Sequence, residues 1–300
     1  MKRFSIILGL TLFLISACDI PALDSPRPDS AILTSTTFLA DITRNVAGGR
    51  LTIDSLLPAG ADPHAYQPTP QDMAKIERSK LLIINGAGYE QFLMTLLDAK
   101  RAGGERNIIA ASAGINPRKD SGNEYGIDPH MWLDPNLVIT YVDNIRQALT
   151  VYYPAGAAVY QANADVYVAK LHELDGWIKI QVEQISTNKR LLVTNHEAFG
   201  YFADRYGFEV VGSVVPSFSS NAAPSAQQMA GLIDEIKRLN APAIFLDTAD
   251  NNTLAKQISN ETGVVVIDDL HLESLTEGAP AATYIDMMKY NVSRIVEALK

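Results

Sequence analysis

Short apolar runs of strand composition alternate with helical stretches along almost the whole chain, and this alternation restricts the fold to strand–helix–strand units on parallel sheets. In the first half the strand-like runs cover residues 31–35, 51–57, 80–85 and 107–111, with helical patterns over 37–46, 70–78, 90–101 and 136–149. The second half repeats the plan, with strands over 190–195, 208–215, 243–247 and 263–268 and helices over 197–206, 225–239, 252–261 and 281–299. Between the halves, residues 155–185 contain no proline, and Val166, Ala169, Leu171, Leu174 and Ile178 recur at helical spacing. The expected fold is therefore α/β. Two lobes, residues 31–153 and 189–300, each carry a mainly parallel sheet flanked by helices, and one long rigid helix within 154–188 bridges them. Such a helix extends roughly 45 Å at 1.5 Å per residue, enough to span both lobes and restrict their swing. Pro154 suits its first turn.

The first 17 residues have the build of a secretory signal: Lys2 and Arg3 precede an apolar stretch, Phe4 to Ile15, that is too short to cross a bilayer comfortably. It ends in Ile15-Ser16-Ala17-Cys18, which resembles the lipobox of bacterial lipoproteins. That resemblance implies lipidation of Cys18, an N-terminal lipid anchor and an extracytoplasmic location. By resemblance to lipoproteins of two-membrane envelopes, Asp19 implies retention at the plasma membrane. Residues 18–30, rich in Pro, Ser and Asp, read as a flexible tether. Cys18 is the chain's only cysteine, so no second cysteine is available for an intrachain disulfide or a thiolate metal ligand in the lobes. A net charge of -9, with no basic block after Arg3, argues against nucleic acid as a partner.

Three of the five histidines sit where such a fold presents ligands. His64 lies in a loop after the strand over 51–57, with Pro63 before it and Pro68 and Pro70 after it. His130 lies between Pro129 and Pro135, and His196 follows the strand over 190–195. Asp268 closes the apolar run Val264-Val265-Val266-Ile267. In open α/β sheets ligands bind beyond the carboxyl ends of the strands, so two residues from each lobe are expected to converge in the interlobe cleft. Three imidazoles and one carboxylate would complete a tetrahedral shell for a borderline divalent cation. Asp128 and Asp134 flank His130 and can either orient its ring or serve as turn and cap residues.

The segments Gly60-Ala61-Asp62-Pro63-His64 through Pro70, Asp128-Pro129-His130-Met131-Trp132-Leu133-Asp134-Pro135, the stretch of the long helix from Tyr160 to Asp175, and Asn195-His196-Glu197-Ala198-Phe199-Gly200-Tyr201-Phe202 resemble the metal-binding lipoproteins of zinc and manganese ABC importers, the cluster A-I or adhesin-type solute-binding proteins. The resemblance runs in order through the mature chain. It implies two α/β lobes bridged by a rigid helix, one divalent metal in the cleft and delivery to a membrane permease; a monomer is expected. Carried over by position, the ligands fall on His64, His130, His196 and Asp268, with Asp268 preferred to Asp269 because Leu270 then matches the family's aliphatic residue. Manganese-type members often carry Glu at the third position. His196 there favours Zn2+, with Mn2+ second. The zinc-type histidine-rich loop is lacking, since residues 114–127 contain no histidine.

Two other functions compete. A zinc hydrolase would use Asp268 as base with three histidines holding the metal, but the HExxH motif fails because Gly200 stands where the second histidine belongs. Glu197 then reads as a first-turn residue favoured by the helix dipole. An adhesin role is attached to the family by name and has no residue here to support it. His172, on the long helix, and His271 read as solvated residues, and Trp132 and Trp177 as packing residues.

Overall fold

The computed structural model describes residues 32–94, 97–98, 107–119, 126–218 and 223–300. The signal segment, Cys18 and the tether lie outside the described residues, as does part of the helix expected over 90–101.

Each half forms a four-stranded, all-parallel sheet. The first contains β1 (Ile32–Thr34), β2 (Ile53–Ser55), β3 (Leu81–Ile84) and β4 (Ile108–Ala110) in the order β2-β1-β3-β4. The second contains β5 (Leu191–Thr194), β6 (Glu209–Ser213), β7 (Ala243–Asp247) and β8 (Val265–Leu270) in the order β6-β5-β7-β8. In both, the chain reverses its direction of travel across the sheet beside the first strand, between β1 and β3 and between β5 and β7, which opens a crevice at the strand ends.

Among the described residues the α-helices with both ends described are α1 (Thr37–Ala47), α2 (Pro70–Arg78), α3 (Pro135–Tyr152), α4 (Ala157–Val182), α5 (Gly200–Tyr206), α6 (Ala226–Leu239), α7 (Thr253–Thr262) and α8 (Tyr284–Leu299). Their starts follow local chemistry. Thr69 and Asp72 form a reciprocal capping box ahead of α2, with Pro70 in its first turn, and Ser225 with Gln228 does the same for α6. Alternation along the strands sends side chains to two cores. Ile32, Leu81 and Ile83 join a large cluster that continues through Trp132, Tyr160, Phe202 and Tyr284 into the second half, while Leu33, Leu82 and Ile84 pack in a smaller outer cluster. Leu191, Val193 and Ile244 anchor the matching outer cluster of the second sheet.

The bridging helix is α4. At about 1.5 Å per residue its 26 residues extend some 39 Å. It begins two residues later than its pattern suggests, because Pro154 opens a 3-10 turn, Pro154–Gly156, rather than the helix itself. At Gly156 a Cβ would fall 2.2 Å from the Tyr160 ring, so the turn is built around glycine. The helix packs on α1 and α3 of the first half and on α8 and α5 of the second. Across the halves, Asp41 of α1 accepts the backbone N–H of Tyr284 at the start of α8, 3.0 Å away.

Asp175 of α4 holds the second half through Arg205 Nε and Nη2 (3.0 and 2.9 Å) and Tyr206 Oη (3.1 Å), and also binds Lys179 Nζ at 2.7 Å. Burial alone would raise this carboxyl, but Arg205 and Lys179 outweigh it and hold it well below the ordinary range. A carboxyl depressed in the folded state stabilises above its unfolded pKa and loses that contribution as pH falls. Asp175→Asn is therefore expected to cost about 1–3 kcal/mol at pH 7 in urea unfolding, with the gap from wild type closing in acid. An equal gap at pH 7 and in acid would contradict this role.

Candidate metal centre

His64 leaves β2 in the proline-flanked loop, where its backbone N–H donates to Asp62 Oδ1 at 2.8 Å. His130 follows β4 and enters the 3-10 turn Met131–Leu133 ahead of α3. His196 follows β5, one residue past the strand's neighbour Asn195, at the second sheet's reversal point. These three and Glu273, three residues beyond β8, offer ligand atoms that all lie within 4.8 Å of one another.

Their geometry is convergent. The Nε2 atoms of His64, His130 and His196 stand 3.0, 3.5 and 3.6 Å from one oxygen, Glu273 Oε1. Ligands bound to zinc at roughly 2.0–2.1 Å in a tetrahedron are about 3.3–3.4 Å apart, close to the three separations from Glu273 Oε1. His130 is wholly buried and His196 nearly so, yet the Nε2 of each has no hydrogen-bond partner. Buried polar atoms left without partners are uncommon and point to a missing ligand.

The surroundings fix both the rings and the acid. Asp128 Oδ1 lies 2.9 Å from His130 Nδ1 and also accepts the His130 backbone N–H, which turns Nε2 toward Glu273. Asp134 instead caps α3 by accepting from Asn136 N at 2.9 Å, so the two flanking acids divide the orienting and capping roles. Asp250 Oδ1 sits 4.0 Å from His196 Nδ1 and accepts from Asn195 Nδ2. Gly200 permits a close approach of the halves, since a Cβ there would lie 2.6 Å from Asp128 Oδ2 and 2.7 Å from Arg118 Nε.

Glu273 belongs to the second half but is stitched to the first. Trp132 Nε1 donates to the Leu272 carbonyl at 2.7 Å, Leu275 N to Thr37 Oγ1 at 2.8 Å, and Gly60 N to Ser274 Oγ at 2.8 Å. Asp247, at the end of β7, accepts from Leu272 N.

Charge in this enclosure is tightly coupled. Burial disfavours the Glu273 anion, but the three imidazoles prevail and hold its carboxyl well below the ordinary range. Burial likewise opposes a charged His130, yet Asp128 and Glu273 push it up to about 9. His64 is raised as well, Glu273 overcoming its burial. The cluster without a cation thus holds protons where a metal would sit. Burial first, and Glu273 next, raise the Tyr89 phenol well above its ordinary value.

Asp268 is not part of this group, and the expectation placing it there is corrected by the structure. β8 does not stop at Ile267 but continues to Leu270, leaving Asp268 within the strand, exposed and accepting from Asn252 Nδ2 at 2.8 Å. Its neighbour Asp269 is paired with Arg294 and Tyr290. The acid at the strand's carboxyl end is Glu273, in a segment without periodicity to mark it. Glu197 also differs from expectation: α5 begins at Gly200, and the Glu197 N–H donates to the Ser217 carbonyl instead of entering a first turn. His172 is exposed, and His271 lies outside the cluster, near Thr248 and Tyr290. Trp132 packs, stacking on Phe38 at 4.7 Å, but its indole N–H also positions the Glu273 segment.

The family model described as zinc-uptake complex component A periplasmic matches residues 32–298. Among relatives, the manganese-binding lipoprotein MntA of Halalkalibacterium halodurans is 35% identical over 271 residues, covering 89% of this chain and 88% of that protein. The iron ABC transporter substrate-binding lipoprotein MtsA of Streptococcus pyogenes is 29% identical over 312 residues, covering 99% of each. The periplasmic zinc binding protein TroA from Treponema pallidum superposes with a TM-score of 0.83 at 27% identity, covering 90% of this chain and 99% of that one. With the match running from the first described strand nearly to the last residue, the chain belongs to the family of zinc-uptake complex component A, the periplasmic substrate-binding proteins of metal ABC importers.

Proposed function

We propose that this protein captures one divalent cation through His64, His130, His196 and Glu273 and delivers it to the membrane permease of an ABC importer, held at the outer face of the plasma membrane by a lipid on Cys18. The observation that carries the ligand set is the convergence of three imidazole Nε2 atoms on Glu273 Oε1, two of them buried without partners. Zinc is the preferred cargo and manganese the second. Three nitrogens and one oxygen suit a borderline ion, while manganese favours a shell richer in oxygen. The relatives' names span manganese, iron and zinc, so cargo choice varies among proteins of this build.

A transport role also follows from coordination. Four protein ligands fill a tetrahedral zinc shell and leave no open position for a reacting water, which separates a carrier site from a hydrolytic one. Loading requires only that the cation displace protons from the imidazoles; the Glu273 segment is already tied to both halves.

Competition titration of zinc against manganese on the metal-stripped protein tests the assignment. One-to-one zinc binding that manganese does not displace is expected. In His196→Glu, which replaces an imidazole by a harder oxygen donor, the preference is expected to move toward manganese. Equal binding of both metals by wild type would make it a broad divalent carrier, and binding of neither would remove the transport role.

A further inference from the structure

A third buried polar atom beside the centre lacks a partner: the hydroxyl of Tyr89. Tyr89 follows β3 and is 3% exposed. Its ring lies edge-on to His64 (centroids 6.0 Å apart, planes at 78°) and to His130 (6.5 Å, 79°), and it packs against Trp132 at 5.0 Å. Unlike the two unpartnered imidazole nitrogens, a phenol hydroxyl is not needed to complete the four ligands. It is nonetheless a donor with nothing to donate to, and burying it in that state is unfavourable unless the loaded site uses it.

Glu273 has the matching requirement. All three imidazoles crowd on Oε1, and none of these contacts uses Oε2. A carboxylate whose second oxygen is not engaged by the imidazoles can swing to bind a cation through both, which adds a ligand atom and suits larger ions that take more oxygen donors. We propose that the Tyr89 hydroxyl is a positioning and selectivity group that, in the loaded site, donates its hydrogen bond to Glu273 Oε2 and so restricts Glu273 to binding through Oε1 alone. The shell then stays at four ligands and the site favours zinc over manganese. This inference rests on the metal-carrier function proposed above.

Tyr89→Phe in the full protein tests it, because the ring and its packing are kept and only the hydroxyl is lost. Zinc and manganese affinities, the visible absorption of the cobalt(II) complex and the melting temperature of the metal-free protein are the readouts. Zinc affinity is expected to fall at least about 10-fold, the usual effect of losing a partner of a metal ligand. Manganese affinity should fall less, moving the zinc-to-manganese ratio toward manganese. The intense cobalt bands of a four-coordinate site should weaken as Glu273 gains a second contact. The metal-free variant should melt no lower than wild type, since an unpaired buried hydroxyl has been removed. A zinc-to-manganese ratio and cobalt spectrum identical to wild type would overturn the proposal, whatever the melting temperature. Failure of wild type itself to bind either metal would instead overturn the carrier function.

Discussion

Glu273→Ala is expected to lower zinc affinity by more than about 100-fold, beyond the range seen when only an orienting partner of a ligand is lost. Asp268→Ala should leave affinity within about twofold, as a change of ~0.5 kcal/mol or less is usual at an exposed position away from such features. The contrast is sharp because the two acids lie five positions apart on opposite sides of a strand end. Asp268 is exposed on β8 beside Asn252, whereas Glu273 Oε1 is the point on which three imidazoles converge. Glu273→Ala should also destabilise the metal-free protein near pH 6, by about 3 kcal/mol or more, because it strips a buried counter-ion from protonated imidazoles. Isothermal titration of both variants, with urea unfolding of the metal-free forms, measures these effects. Equal loss of affinity in the two variants would sink the assignment of Glu273.

Zinc affinity should keep rising well past neutral pH, and binding at pH 7 should release protons. The sign follows from His130, raised to about 9 by Asp128 and Glu273 against its burial. At pH 7 the metal-free ring is protonated, and the neutral imidazole that binds zinc must lose that proton. One displaced proton gives a tenfold gain per pH unit well below the pKa, with half of the limiting affinity reached at it, hence roughly 50-fold between pH 7 and 9. The dependence steepens in acid as His64, also raised, joins in. Stability of the metal-free protein runs the opposite way. A histidine raised in the folded state contributes fully below its unfolded value near 6.5 and loses that contribution as pH passes about 9. Metal-induced stabilisation, at fixed free zinc, should therefore widen from pH 7 to 9. Calorimetry in buffers of different ionisation heat counts the protons, and a binding enthalpy that ignores the buffer would show that His130 is neutral before the metal arrives.

Loading exchanges one set of charges for another in the same small volume. Without a cation, the raised imidazoles of His64 and His130 face the lowered carboxyl of Glu273; a bound metal would take the place of their protons. The contacts from Trp132, Thr37 and Gly60 to the 272–275 segment need no metal to form.

The alternation of apolar runs determined both parallel sheets and nearly every helix, because period and capping are local properties: α2 and β7 occupy the residues their patterns mark, and Thr69 and Ser225 announce helix starts within three residues. His64, His130 and His196 were readable for the same reason, since each stands just past a strand-like run or between prolines and the fold class dictates which strand ends meet. Glu273 was not readable. The last apolar run stops at Ile267, but β8 continues because it pairs with β7 as far as Leu270, and Asp268 and Asp269 find partners in Asn252 and in Arg294 with Tyr290. The residue that faces the imidazoles is chosen by Trp132 and Thr37, 140 and 238 positions away from Leu272 and Leu275, the residues they bind. Local pattern could mark the strand, but only the packing of one half against the other decided which acid beyond it turns into the cleft.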